Sequence, residues 1–135
     1  MKKTKLLNPL ANVKILVVED NLDSLEVLQF YLTRIGAKIF PATSAKEGLE
    51  FLNLSEVTPD IIISDISMPF EDGYSFMKKV RNLPDEKLNS IPAIALTAFV
   101  SNTEEEKVLS AGFQKYHSKP FEPDLLVSQI LELTS

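Results

Sequence analysis

Short apolar runs alternate along the chain with longer segments in which apolar residues recur every three or four positions. The first run covers residues 13–18, and the segment that follows it, from Leu22 to Ile35, has helical spacing and stops at Gly36. Asn21 precedes this segment and is a residue type that often caps helices. The pattern predicts a strand followed by a helix, and the same order repeats four more times.

The later repeats predict four further strands and four further helices. The predicted strands cover residues 37–40, 60–64, 91–96 and 113–118, and the predicted helices cover residues 44–54, 74–83, 103–111 and 122–133. Continuous apolar runs such as Ile61 to Ile63 are typical of strands that are covered on both faces, and helical crossovers join parallel strands. The sequence therefore predicts a three-layer, doubly wound α/β fold with a five-stranded parallel sheet.

Polar residues follow the ends of four predicted strands. Glu19 and Asp20 follow the first strand, Asp65 the third, Thr97 the fourth and Lys119 the fifth. Ligands of open α/β sheets bind outside the carboxyl ends of the strands, so we expect these side chains to converge. Carboxylates about 4 Å apart repel by about 4 kcal/mol at an effective dielectric near 20, so a positive group must lie among them. Mg²⁺ suits carboxylate, carbonyl and water oxygens, and the arrangement indicates phosphoryl-transfer chemistry.

Composition narrows the class of protein. A chain of 135 residues with 44% hydrophobic and 24% charged residues is typical of one globular domain. Its 14 basic and 19 acidic residues give a charge of −5, which disfavours direct nucleic-acid binding. The absence of cysteine is compatible with a cytoplasmic location, and no apolar stretch approaches the roughly 20 residues that span a bilayer. Residues 1–12 are predicted to be a flexible head, and residues 13–135 the domain.

Four short motifs occur in the order and spacing of a known family. They are Val17-Val18-Glu19-Asp20-Asn21, Asp65-Ile66-Ser67-Met68-Pro69 with Asp72-Gly73, Leu96-Thr97-Ala98, and Lys119-Pro120-Phe121. On these motifs the chain resembles, over residues 13–133, the receiver domains of two-component response regulators, and in particular stand-alone receivers of the chemotaxis type. The resemblance implies a flavodoxin-like receiver fold with strand order 2-1-3-4-5.

The resemblance also implies a role for the polar residues. Asp65 would be the phosphoacceptor, whose carboxylate attacks phosphorus to give an acyl phosphate. Thr97 would donate its hydroxyl to a phosphoryl oxygen, Lys119 would supply positive charge, and the Lys119–Pro120 peptide bond would be cis. Mg²⁺, or Mn²⁺, would be held by Asp20, Asp65 and the backbone carbonyl of Ser67, and by Glu19 mainly through a bound water.

Each of these residues also has an ordinary structural interpretation. Asp65 could be a turn aspartate, and Glu19 and Asp20 could simply favour the positive end of the first helix. Thr97 could be a β-favouring residue that ends a strand, and Lys119 a solvated loop lysine. The functional interpretation is favoured because it accounts for all of them together.

Signalling is expected through a change of surface shape. By resemblance, Tyr116 would be an aromatic switch that rotates inward when Thr97 moves toward the phosphoryl group. The reporting face would be formed by the fourth predicted helix, the fifth strand and the fifth predicted helix, with Phe99 and Val100 as candidate contacts.

His117 could be a surface strand residue, a metal ligand or a phosphohistidine.

The expected partners are a sensor histidine kinase or a histidine phosphotransfer protein, and a downstream protein. Neither nucleic acid nor membrane is expected to bind directly. Many DNA-binding regulators dimerise through ion pairs on the reporting face, but this chain has Gln114 and Lys115 before Tyr116, and Gln129 where an arginine is usual. A monomer or a weak homodimer is therefore expected. Because the chain ends at Ser135, directly after its last predicted helix, it is expected to be a stand-alone receiver or one cut from a larger polypeptide.

Three other functions compete with the receiver interpretation. A phosphatase of the haloacid dehalogenase type uses a similar set of residues but carries a second acid two residues after the nucleophile, where this chain has Ser67. A non-phosphorylated binding module with the receiver fold usually lacks the acceptor, an acid or the lysine. A nucleotide-binding flavodoxin relative would have a glycine-rich phosphate loop after the first strand. The chain is expected not to be an enzyme beyond catalysing its own phosphorylation and dephosphorylation.

Overall fold

The computed structural model describes residues 8–98 and 101–135. Its strands are β1 (Lys14–Val18), β2 (Lys38–Ala42), β3 (Ile61–Asp65), β4 (Ala93–Thr97) and β5 (Lys115–Ser118). They form one parallel sheet in the order β2-β1-β3-β4-β5. The predicted flavodoxin-like topology is confirmed.

Six helices connect the strands or follow them in the described part of the chain. They are α1 (Leu22–Arg34), α2 (Ala45–Leu54), α3 (Gly73–Arg81), α4 (Glu86–Asn89), α5 (Asn102–Ala111) and α6 (Pro123–Thr134). The five predicted helices correspond to α1, α2, α3, α5 and α6, whereas the short α4 was not predicted. Among the described residues no helix is both long and apolar enough to cross a membrane.

Local sequence explains where the helices begin and end. The side chain of Asn21 accepts a hydrogen bond from the Ser24 amide at the start of α1, and Ser44 does the same for α2 through the Glu47 amide. Gly112 ends α5 in the left-handed conformation, with φ of 114°, which residues with a Cβ adopt at a cost. The first two caps fix the loops that lead from the sheet into α1 and α2, and Gly112 fixes the turn from α5 to β5.

The sheet is buried on both faces. Ile62 belongs to a core with Phe76 of α3 and Val108 of α5, whereas Ile61 and Ile63 belong to a second core that includes residues of α1 and α6. Successive strand residues point to opposite faces, so a run of three isoleucines requires an apolar layer on each side. The predicted three-layer arrangement is confirmed.

The predicted boundary between a flexible head and the domain needs correction. Leu10 is fully buried in the core beside α1 and β1. Its amide donates to the Ile35 carbonyl at 3.0 Å, and the Asn12 amide donates to the Gly36 carbonyl at 3.2 Å. Residues 8–12 are therefore packed against the end of α1, because Leu10 fills an apolar site there.

Candidate functional site

Backbone hydrogen bonds align the carboxyl ends of the central strands. Asp65 is the last residue of β3 and pairs with Leu96 of β4, and the Ile66 amide donates to the Leu96 carbonyl at 3.1 Å. The Lys119 amide donates to the Thr97 carbonyl at 2.8 Å. The loop after β5 is thereby held beside the end of β4, and the predicted cis bond between Lys119 and Pro120 is confirmed.

A lysine ammonium lies between two buried carboxylates. Lys119 Nζ is 3.1 Å from Asp65 Oδ1 and 3.3 Å from Glu19 Oε2. Glu19 is fully buried and Asp65 is 3% exposed, whereas the lysine side chain is 31% exposed. Lys119 therefore reaches from the rim into the acidic pocket, and its interpretation as a solvated loop residue is wrong.

Three carboxylates share this pocket. Glu19, Asp20 and Asp65 each offer an oxygen, and the three oxygens lie within 4.8 Å of one another. Glu19 Oε1 accepts from the Asn21 amide at 3.1 Å, but its buried Oε2 accepts no hydrogen bond from the described residues and has only the Lys119 ion pair. This all-oxygen set of acids, with an incompletely satisfied oxygen aimed into it, fits a hard divalent cation such as Mg²⁺.

Burial dominates the electrostatics of the pocket. It raises the pKa of Glu19 from 4.5 to about 7, and the negative charge of Asp65 acts in the same direction. The Asn21 amide and Lys119 oppose this rise without cancelling it. Burial alone would lower the pKa of Lys119, but attraction to Asp65 and Glu19 outweighs it and the pKa rises. The pocket thus holds excess negative charge that one ammonium does not neutralise.

The other predicted site residues lie around this pocket. Ser67 follows β3, and its amide donates to Asp65 Oδ1 at 3.3 Å. Thr97 is 3% exposed at the end of β4. Tyr116 is half-buried on β5, opposite Ala95, and packs against the core on the α5 side of the sheet. The predicted contacts Phe99 and Val100 lie outside the described residues.

Gly73 allows the loop after β3 to return to the pocket. A Cβ at this position would lie 2.3 Å from the Asp65 carbonyl oxygen, far inside van der Waals contact. The Gly73 amide instead donates to the Ile66 carbonyl at 2.9 Å. Asp72 caps α3 by accepting from the Ser75 amide at 2.8 Å. The Asp72-Gly73 motif is thus explained by a close backbone approach.

His117 is not a surface residue, which corrects one of the three interpretations left open by the sequence. It is 1% exposed, and its Nε2 accepts from the Glu122 amide at 2.9 Å. Nδ1 therefore carries the proton and donates to Gln129 Oε1 at 2.8 Å. With both ring nitrogens engaged, His117 is a neutral structural residue that joins β5 to α6. Gln129 was noted in the sequence only as a missing arginine.

Comparisons with known proteins agree with the fold. Residues 15–131 match the family model described as the response regulator receiver domain. A 14.6 kDa protein from the sodA1 3′ region of Leptolyngbya boryana is 40% identical over 114 residues, which cover 84% of each chain. Hybrid signal transduction histidine kinase D of Dictyostelium discoideum is 40% identical over 93% of this chain, which matches only 8% of that protein. Chemotaxis protein CheY4 of Vibrio cholerae superposes with a TM-score of 0.83 at 26% identity, covering 91% of this chain and 99% of that one.

Proposed function

Since the chain belongs to the response regulator receiver domain family, we propose that it accepts a phosphoryl group on Asp65 from a phosphohistidine of a partner protein. The observation that carries this assignment is the contact of Lys119 Nζ with Asp65 Oδ1 at 3.1 Å, beside the oxygens of Glu19 and Asp20. A buried carboxylate with one ammonium and two further acids around it is suited to receive a phosphoryl group in the presence of a divalent cation. The proposed location is the cytoplasm, where a histidine kinase has access to ATP.

The proposed transfer step uses these residues. An oxygen of Asp65 attacks phosphorus, the phosphorus–nitrogen bond to the donor imidazole breaks, and the imidazole nitrogen leaves with the electron pair. Charge spreads over the equatorial phosphoryl oxygens in the loose transition state, so positioning and charge stabilisation dominate. Lys119 supplies one positive charge, and the proposed role of Thr97 is to donate its hydroxyl to a phosphoryl oxygen. Glu19, Asp20, Asp65 and the Ser67 carbonyl would hold Mg²⁺, which supplies the remaining positive charge when bound.

A phosphorylated Asp65 is proposed to signal through the face formed by α5, β5 and α6. Phosphorylation adds about −1.5 to −2 charges close to Thr97 at the end of β4. Tyr116 lies on the neighbouring strand, with its ring half-buried, and is the proposed switch. Leu109 of α5 and Leu125 of α6 are 50% and 46% exposed on this face and are the proposed contacts for a downstream protein.

Two alternative functions, a phosphatase and a non-phosphorylated binding module, are less well supported. A phosphatase would need a second acid where Ser67 stands, and the Ser67 amide instead donates to Asp65 Oδ1. A binding module that is not phosphorylated would have no use for the buried acids, which add unfavourable charge to the pocket. We therefore propose single-turnover phosphorylation, and not sustained catalysis.

Acetyl phosphate tests the acceptor directly. The protein is incubated with acetyl phosphate and Mg²⁺, and intact mass is measured for the parent, for Asp65→Asn and for Asp60→Asn. Asp60 lies at the other end of β3, where it accepts a hydrogen bond from the Lys14 amide, so Asp60→Asn is a matched control. We expect the mass of one phosphoryl group on the parent and on Asp60→Asn only. Equal labelling of Asp65→Asn, or no labelling of the parent, would contradict the assignment.

A further inference from the structure

The loop between Asp65 and α3 carries an aromatic ring that serves no purpose within the described structure. Phe70 is fully exposed, at 108% of its reference area. It makes no ring or cation contact with the described residues, whereas the exposed ring of Phe30 on α1 has the Arg34 guanidinium 5.2 Å above it. Single exposed apolar residues are ordinary. The backbone of Phe70 is what sets it apart.

Phe70 has a conformation that residues with a Cβ seldom adopt. Its φ is 68°, and the Glu71 amide donates to the Pro69 carbonyl at 2.8 Å across it. This hydrogen bond closes a γ-turn of the rare, strained form with positive φ. Glycine or asparagine would adopt this φ at lower cost than a bulky aromatic residue. The backbone at Phe70 is therefore strained, and burial of the ring does not offset this strain.

The residues on either side of Phe70 are held in place. Glu71 Oε2 accepts from Ser75 Oγ at 2.6 Å and from Lys79 Nζ at 2.8 Å, which ties the loop to the first two turns of α3. Asp72 caps the same helix, and Gly73 is bonded back to Ile66. The ring is thus presented from a braced turn, and bracing reduces the entropy lost when an exposed group is used for binding.

The position of Phe70 relative to the acceptor indicates what would cover it. Phe70 is five residues after Asp65, in the loop that leaves the carboxyl end of β3. Any protein that brings a phosphohistidine into bonding distance of Asp65 must cover the rim of this pocket, whereas a small phosphodonor need not. Aromatic side chains on a rigid support are typical binding hot spots.

We propose that Phe70 is a contact residue for the histidine-bearing donor protein, and that it promotes transfer from that protein but not from small phosphodonors. This inference rests on the proposed phosphorylation of Asp65. Removing the ring should slow transfer from a protein donor about tenfold or more, the effect of losing an aromatic hot spot. Removing the Cβ as well should relieve the strained φ, so the same variant should be at least as stable as the parent.

The test compares Phe70→Gly, Phe70→Trp and Leu54→Ala with the parent. Leu54 is 80% exposed at the end of α2, outside the loop that follows β3, and is an apolar control. Phosphoryl transfer is timed from a panel of helical phosphotransfer domains that carry radiolabelled phosphohistidine, and separately from acetyl phosphate. Urea denaturation gives the stability of each variant.

We expect Phe70→Gly to slow phosphoryl transfer from the protein donors but not from acetyl phosphate. Phe70→Trp, which keeps an aromatic ring, and Leu54→Ala should both match the parent. Equal rates for Phe70→Gly and the parent with every protein donor would overturn the inference. So would a parent that acetyl phosphate labels on Asp65 but no phosphohistidine domain labels. If acetyl phosphate does not label Asp65 at all, the proposed function is contradicted, and the inference about Phe70 is overturned with it.

Discussion

Glu19→Gln tests whether the ionised carboxylates of the buried acid cluster destabilise the folded protein in the absence of metal. The substitution keeps the shape of the side chain and the oxygen that accepts from the Asn21 amide, but removes the ionisable group. Glu19 is fully buried, and its pKa is raised from 4.5 to about 7, chiefly by burial. At 1.36 kcal/mol for each tenfold change in acidity, this rise corresponds to about 3 kcal/mol.

The sign of the effect follows from proton linkage. Below pH 4.5 the carboxyl is protonated in both the folded and the unfolded chain, and folding gains nothing from ionisation. Between 4.5 and about 7 the unfolded chain releases the proton while the folded chain keeps it, so stability falls as pH rises. The glutamine variant has no such loss. Without metal it should exceed the parent by about 1 kcal/mol at pH 5 and by about 3 kcal/mol at pH 8.

The assay is urea denaturation, followed by circular dichroism, in EDTA at pH 5 and pH 8. Glu50→Gln, an exposed change on α2, serves as the control and should leave stability unchanged at both pH values. Mg²⁺ should narrow the gap at pH 8, because it neutralises the parent's acids. A Glu19→Gln variant that is no more stable than the parent at pH 8 in EDTA would refute the reasoning.

Three further outcomes are expected. Lys119→Met should slow labelling by acetyl phosphate about 100-fold or more, as for loss of one preorganised charge-stabilising group, measured by intact mass over time. Mg²⁺ at 100 times its Kd should raise the unfolding free energy at pH 8 by about 2.7 kcal/mol in urea titrations, and Asp20→Asn should lose most of this gain. Arg81→Met should lower stability by about 2–4 kcal/mol with an unchanged labelling rate per folded molecule, because the guanidinium donates to the Gly112 carbonyl at 3.0 and 2.8 Å and to the Asn89 carbonyl at 3.0 Å.

Local patterns were sufficient to predict the strands, the helices and the three layers, whereas the strand order came from the resemblance to receiver domains. The isoleucine run in β3 indicated a strand buried on both faces, and Asn21 marked the start of the first helix, because capping depends on residues close in sequence. The ends of the strands were less predictable. The strand predicted over residues 60–64 lies at Ile61–Asp65, since Asp65 pairs with Leu96 although it is polar. Pairing with a neighbouring strand is not visible in hydrophobicity.

The sequence predicted which residues converge at the candidate site. Their positions after the predicted strands placed Glu19, Asp20, Asp65 and Lys119 at one sheet edge, and the structure brings them together. Their roles remain predictions. What the sequence did not indicate are contacts between distant segments, such as the hydrogen bond from the Tyr74 hydroxyl to Glu104.

The sequence patterns also did not predict the burial of Leu10 and His117. Leu10 stood in a polar head, and His117 stood on a short edge strand with polar neighbours. Each packs against an element other than its own: the end of α1 contacts the segment that contains Leu10, and His117 is hydrogen-bonded to α6. A hydrophobic pattern reports which residues could be buried, but not which distant element covers them.

Gln129 shows how this chain departs from receivers that dimerise through an arginine in the last helix. Its Nε2 donates to the Tyr116 carbonyl at 2.8 Å, and its Oε1 accepts from His117, so both ends of the amide are directed into the protein. A shift of the Tyr116 backbone must therefore carry α6 with it or break this part-buried hydrogen bond, at about 0.5–1.5 kcal/mol. Rotation of the Tyr116 ring requires no such break. If phosphorylation changes this face as proposed, we expect the change to reach a partner through the ring and the exposed Leu109 and Leu125, with α6 moving only as a unit with β5.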